Sequence, residues 1–151
     1  MLREKIDQAM KAAMKAQEKL RLSTLRLVNA AIKNADIEAR GAGKPPLGDA
    51  EVLPLLQKMI KQRQESVELY DKGGRAELAK KERDEIEIIK GFLPAQLSEA
   101  EAKAAIAGVI KDVGAAGPKD MGKVMAALKE RYAGKMDFGK ASGLVKGLLA
   151  G

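Results

Sequence analysis

No cysteine, histidine or tryptophan occurs in this chain, and aromatic residues stop at two Phe and two Tyr. Without thiols there is no disulfide framework and no thiolate nucleophile. With imidazole also absent, the usual zinc ligand sets and a histidine general base are excluded. Any catalysis falls to Asp, Glu, Lys, Ser, Thr or Tyr. No cofactor and no metal site is expected. The scarcity of aromatics leaves a core of Leu, Ile, Val, Met and Ala, which suits packed helices better than sheets. No apolar run approaches the ~18–20 residues of a bilayer span, so no membrane-spanning segment is expected. Arg3, Glu4, Lys5, Asp7 and Gln8 interrupt any signal-peptide core, and Glu4 and Asp7 argue against a transit peptide. These absences lead to the expectation of a soluble, cytoplasmic protein.

What is present is charge and helical periodicity. The 151 residues hold 28 Lys and Arg against 21 Asp and Glu, a formal net charge of +7. Such a balance points to a polyanionic partner such as nucleic acid. The excess is uneven: residues 1–35 carry +5, residues 36–94 carry −1 and residues 95–151 carry +3. The basic surface is therefore expected at the two ends of the chain.

Apolar residues recurring every three or four positions predict seven helices and no strand. The first covers 2–16, with Leu2, Ile6, Met10 and Met14 as its stripe. The second covers about 20–40, with Leu25, Val28, Ile32 and Ala35 facing inward. The Gly- and Pro-rich stretch 41–46 breaks the chain. A third helix follows over 49–71, with Asp49 as its N-cap and Pro54 in or before its first turn. Gly73-Gly74 ends it, and a charged fourth helix runs over 75–92. The carboxylates Glu82, Asp84, Glu85 and Glu87 are expected on a solvated face beside Lys80, Lys81 and Arg83.

Residues 92–97, with Pro94, form the predicted boundary between domains. Ser98 and Glu101 read as a capping box that restarts the helix. Three helices follow over about 98–113, 119–132 and 138–149. Asp137 caps the last of these, whose inward face is Phe138, Ala141, Val145 and Leu148. That helix also carries Gly139, Gly143, Gly147 and Gly151 at steps of four, which weakens it intrinsically.

Several stretches, in order, resemble the GatB/YqeY family. They are Leu20-Arg21-Leu22-Ser23-Thr24-Leu25-Arg26 with Ala30-Ala31-Ile32-Lys33-Asn34, then Gln57 to Arg63 with Glu65-Ser66. Gly74-Arg75-Ala76-Glu77-Leu78-Ala79 and Phe92-Leu93-Pro94-Ala95-Gln96-Leu97-Ser98 come next, followed by Lys119-Asp120-Met121-Gly122-Lys123 and Gly134-Lys135 with Asp137. The resemblance implies an all-α protein with a four-helix N-terminal domain, 1–94, and a three-helix C-terminal domain, 95–151. It makes the latter similar to the tail domain of the GatB subunit of aspartyl/glutamyl-tRNA amidotransferase, which helps to hold tRNA. Short members of the family are assigned carbon–nitrogen ligase activity with glutamine as amide donor. This sequence lacks the larger catalytic domain, a thiol glutaminase Cys, an amidase-type Gly/Ser stretch and a GxxxxGK[ST] loop, so catalysis by this chain alone is not expected.

The nucleic-acid contacts expected from the residues are Lys119, Gly122, Lys123, Lys135 and Lys140 in the C-terminal part, and Lys11, Lys15 and Arg26 in the N-terminal part. Lys119-Asp120-Met121-Gly122-Lys123 opens a helix, where free N–H groups and the dipole attract phosphate. The competing reading makes Asp120 a plain N-cap and Gly122 a site of close helix packing. Lys11, Lys15 and Lys19 are spaced by four and share a face, and Arg21, Arg26 and Lys33 extend it. Stacking platforms are few, so shape recognition of folded RNA fits better than base readout. The expected function is a tRNA-binding accessory protein, with tRNA and an amidotransferase or a tRNA synthetase as partners. The alternative is a protein-interaction module without RNA binding, its contact face on the mixed-charge fourth helix. Independent amidotransferase activity and peripheral membrane binding rank below both.

Overall fold

A computed structural model describes residues 2–150. Among them the chain is all α, with seven helices, one short 3-10 turn and no strand. The helices are α1 Leu2–Lys15, α2 Lys19–Gly41, α3 Asp49–Lys72, α4 Ala76–Lys90, α5 Glu99–Asp112, α6 Met121–Arg131 and α7 Phe138–Ala150, with the turn at Pro118–Asp120. Contacts divide the chain into two units that meet between Leu93 and Pro94.

In the first unit, α3 and α4 form a helical hairpin, and α1 and α2 form another through the tight link 16–18. Gln17 turns that link at φ 57°. Leu2, Ile6, Val28, Ile32, Val52, Leu56, Met59, Ile60, Ile86 and Ile89 make its core. The α1 stripe departs from the expected one: Ala13 is buried and Met14 is 55% exposed. A step of four residues overshoots a 3.6-residue turn by about 40°, so three such steps carry Met14 about 120° off the face of Leu2. Eleven residues make nearly three whole turns, which returns Ala13 to it.

The start of α3 also differs from the sequence expectation. Gly48 occupies the N-cap, its N–H donating to Glu51 Oε2 at 2.9 Å. Asp49 stands inside the helix, where its Oδ1 accepts the Leu2 N–H at 3.0 Å and so ties α1 to α3. That bond, the largest cause, holds the Asp49 carboxyl below its ordinary value. Pro54 lies beyond the first turn. It therefore removes one backbone bond from the ladder, and its exposed ring faces away from the core.

The loop between α2 and α3 is pinned rather than free along its length. Arg3 pairs with Asp36, whose Oδ1 also accepts the Leu47 N–H at 2.9 Å, while Arg3 Nε donates to Leu47 O at 3.0 Å. The Arg3 hydrogen bond, then that of Leu47, holds the Asp36 carboxyl below its ordinary value of 3.8. A depressed carboxylate contributes stability that is present above the unfolded pKa and lost as pH falls through the folded one. Tm measured from neutral pH downward is expected to decline below the ordinary carboxylate range. Asp36→Asn is expected to lower Tm at neutral pH and to flatten that decline.

The second unit packs α5, α6 and α7 around Ile106, Val109, Val124, Leu128, Met136, Ala141 and Val145. Ser98 caps α5 as expected: its Oγ accepts the Glu101 N–H at 3.1 Å, and Glu101 Oε1 accepts the Ser98 N–H at 3.0 Å. Asp137 caps α7 through the Gly139 N–H at 2.8 Å. On α7 Leu148 is exposed, and Leu149 packs on the core in its place. Gly151 lies outside the described residues. A Cβ on Gly143 or Gly147 meets nothing within 4 Å, so no helix or backbone approaches that strip. Gly143→Ala and Gly147→Ala are therefore each expected to stabilise the second unit by about 0.5–1 kcal/mol, read as a rise in Tm by circular dichroism.

Candidate nucleic-acid interface

The expected RNA-contacting residues fall into two groups, one in each unit. In the first unit Lys11 and Lys15 lie toward the end of α1 and Arg26 lies in the third turn of α2; all three are exposed. The hairpin link joins the end of α1, with Lys11 and Lys15, to the start of α2, with Lys19 and Arg21, at one elbow of the chain. Arg21 is half-buried and lies 3.9 Å from Glu18. That weak, exposed pair is the elbow's ion pair among the described residues.

In the second unit Lys119, Gly122, Lys123 and Lys140 are exposed and Lys135 is half-buried. Lys119 is not in α6. Pro118–Asp120 forms a 3-10 turn and the helix begins at Met121, because Pro118 supplies a preset φ at the start of the turn. The turn closes with the Asp120 N–H on Gly117 O at 3.0 Å, which consumes one of the donors expected to be free. Asp120 does not act as a side-chain cap on α6. Its Oδ2 instead accepts the Ala116 N–H at 2.9 Å, closing the loop behind it. A Cβ on Gly122 meets no atom within 4 Å, so this glycine is open surface and not a point of close helix packing.

Other contacts hold this region in shape. The turn packs on α7, and α6 packs on α7. The Lys135 carbonyl accepts the Leu97 N–H at 2.9 Å, and Gln96 Nε2 donates to Gly134 O at 2.6 Å. Gly134 turns the chain there at φ 74°. Lys135 is thus anchored by its backbone, leaving its side chain to solvent in part. Asp120 and Asp137, the acids nearest these lysines in sequence, are both engaged with backbone amides. Among the described residues none of Lys119, Lys123, Lys135 and Lys140 forms an ion pair; the unit's arginine, Arg131, pairs with Asp112 at 2.8 Å. Exposed, unpaired lysines keep their charge available to a phosphate backbone.

The carboxylates of α4 correct the expectation of a wholly solvated face. Glu85 is buried, and its Oε2 accepts from Arg63 Nε at 2.9 Å. Arg63 also donates through Nη1 to Met59 O at 3.2 Å. Burial pushes the neighbouring Glu82 carboxyl above its ordinary value, the Glu85 charge adds to this, and Arg63 and Lys81 oppose it. Arg83 pairs with Asp71 and not with a carboxylate on its own helix. The sequence signal for Glu85 was available but weak: it precedes Ile86 and lies four before Ile89, on the inward side of α4. Among the described residues no group of three or more carboxylates is placed to hold a metal ion.

A family model described as Yqey-like protein matches residues 3–149. The chain is 37% identical over 112 residues to "Altered inheritance of mitochondria protein 41, mitochondrial" from Lachancea thermotolerans, a match covering 72% of this chain and 58% of that protein. The chain thus spans less than two thirds of that relative's length. The proteins of the same name from Pyrenophora tritici-repentis and Kluyveromyces lactis are 32% and 29% identical, over 81% and 93% of this chain and 68% and 72% of theirs. All three names are mitochondrial, which overturns the expectation of a cytoplasmic protein. The absence of cysteine had no power to decide this, since a chain that forms no disulfide is compatible with any redox compartment. No helix among the described residues is long and apolar enough to cross a membrane.

Proposed function

The chain belongs to the YqeY-like protein family, and from that premise we propose that it is a tRNA-binding accessory protein associated with a glutamine-dependent tRNA amidotransferase. In this reading the two units are separate domains, and the second does what a GatB-type tail does, gripping folded RNA while another protein performs the chemistry. The kinship with mitochondrial relatives sets the proposed compartment. The observation that carries the reading is the set of exposed lysines Lys119, Lys123 and Lys140 and the half-buried Lys135, with no ion pair to any of them among the described residues and both acids nearest in sequence turned onto backbone amides. Lys11, Lys15 and Arg26 offer a second cationic patch on the first unit. Such contacts neutralise phosphates without reading bases, in keeping with the few aromatic side chains.

Fluorescence anisotropy with total tRNA and with an unstructured RNA of equal length tests this, at low and near-physiological salt. Preferential tRNA binding is expected, and Lys119→Ala/Lys123→Ala is expected to weaken it and to reduce the slope of log K against log salt by about two. Absence of binding, or equal binding to both RNAs that vanishes with salt, sinks the reading.

A further inference from the structure

The outer face of α2 has a seven-residue pattern that extends beyond Arg26, the residue of this helix in the RNA reading. Lys19, Arg26, Lys33 and Arg40 stand at intervals of seven, and all four are exposed. Lys19 and Arg40 are 21 residue steps apart, about 31 Å of helix. Beside them Ser23, Leu27, Ala30, Asn34 and Ile37 alternate in steps of four and three, and these too are exposed. Leu27 is 50% exposed and Ile37 68%, two of the most open large apolar side chains on the protein. The opposite face of α2, with Thr24, Leu25, Val28 and Ile32, is the one buried in the core. The seam is therefore a second face of the same helix, exposed and without a packing partner among the described residues.

Steps of four and three are the spacing of a coiled-coil seam. A strict seven-residue interval falls about 20° short of two turns, so the cation row winds gently left-handed around α2. A second helix in a left-handed pair follows that path. The small residues Ser23 and Ala30 let it approach, and Leu27 and Ile37 give it apolar contacts. The four cations lie along one flank, Glu38 stands at the end of the other, and Asp36, one turn from both Lys33 and Arg40, is already engaged by Arg3 and the Leu47 N–H. A second copy laid antiparallel sets cation against cation along that flank and is repelled. The complement is a helix with apolar residues at its seam positions and acids along the facing flank.

We infer that the outer face of α2 docks an acidic amphipathic helix of a protein partner, with Leu27 and Ile37 as apolar anchors and Lys33 and Arg40 as its charge-selecting flank. This does not rest on the RNA reading; Arg26, the candidate RNA contact on this helix, stays unchanged in the test, and Lys33, on the basic stripe expected to extend from α1, is changed only in the charge variant and not in Leu27→Glu/Ile37→Glu. The probe is a labelled three-heptad peptide with Leu at seam positions and Glu along the flank, with a Lys-for-Glu peptide as its counterpart. The full chain and the variants Leu27→Glu/Ile37→Glu and Lys33→Glu/Arg40→Glu, all changes at exposed sites, are titrated after circular dichroism confirms that their helix content matches.

The Glu peptide is expected to bind and the Lys peptide not, and each variant is expected to weaken binding by about tenfold or more. Absence of Glu-peptide binding, equal binding of both peptides, or indifference to either pair of substitutions overturns the proposal. An RNA duplex that binds this face, weakened by Lys33→Glu/Arg40→Glu but not by Leu27→Glu/Ile37→Glu, makes it a nucleic-acid surface instead. A sedimentation-detected dimer abolished by Leu27→Glu/Ile37→Glu makes a second copy the occupant, and either result also overturns it.

Discussion

Glu85→Ala is expected to destabilise the first unit by about 3–5 kcal/mol, because it strands the Arg63 guanidinium beside the core. The side chains of Arg63 and Glu85 are only 13% and 8% exposed. Water therefore cannot replace the lost carboxylate, as it does for the more open Arg83–Asp71 pair. Arg63 keeps one bond, to Met59 O, for five donor protons. A loss of this size is a large part of the 5–15 kcal/mol typical of whole domains.

The double replacement Arg63→Met/Glu85→Leu is the informative partner. It removes both charges and fills the space with apolar atoms, and it is expected to be near neutral or to stabilise by about 1–4 kcal/mol. Urea unfolding followed by far-ultraviolet circular dichroism measures both, since the chain has no Trp for fluorescence. A single substitution costing under about 1 kcal/mol contradicts the burial argued for the pair, because that is the range of an exposed ion pair. Glu85→Ala also removes the charge that helps to raise the Glu82 carboxyl, so the Glu82 pKa is expected to move down toward its ordinary value.

The second large effect is expected in the other unit. Leu128 is fully buried among Ile106, Val109, Val124 and Val145. Leu128→Ala removes its contacts and leaves a cavity, at a cost of about 2–5 kcal/mol. A unit of under about 60 residues buries proportionately less of its surface and has little stability to spare. The variant is therefore expected to lose the helical signal of α5, α6 and α7 at ambient temperature while that of α1 to α4 persists, giving two separated thermal transitions. One cooperative loss of the whole signal would show instead that the chain unfolds as a single domain. The RNA and peptide titrations then divide cleanly, because tRNA binding through Lys119 and Lys123 is expected to fall in this variant and peptide binding on α2 is not.

The sequence by itself determined the secondary structure and the kinship. Helix periodicity, Pro94, and the caps at Ser98, Glu101 and Asp137 act over three or four residues, so a local reading finds them. The ordered stretches from Leu20 to Asp137 were enough to suggest the family that residues 3–149 match. Finer placement depended on which neighbour each residue met. Strict four-residue spacing put Met14 in the core where the true turn put Ala13. Asp49 and Asp120 looked like caps, yet their carboxylates accept N–H groups of Leu2 and Ala116, partners that the spacing of a cap does not reveal.

Only the tertiary structure decided the pairings Arg63–Glu85 and Arg3–Asp36 and left Leu27 and Ile37 open on the outer face of α2. Charged side chains choose partners by desolvation and proximity in the folded chain, and those are set by helix packing across 22 and 33 residues of sequence. Periodicity assigns an apolar face from neighbours along the helix, but whether a charge is solvated, paired or left open is a property of the assembled bundle.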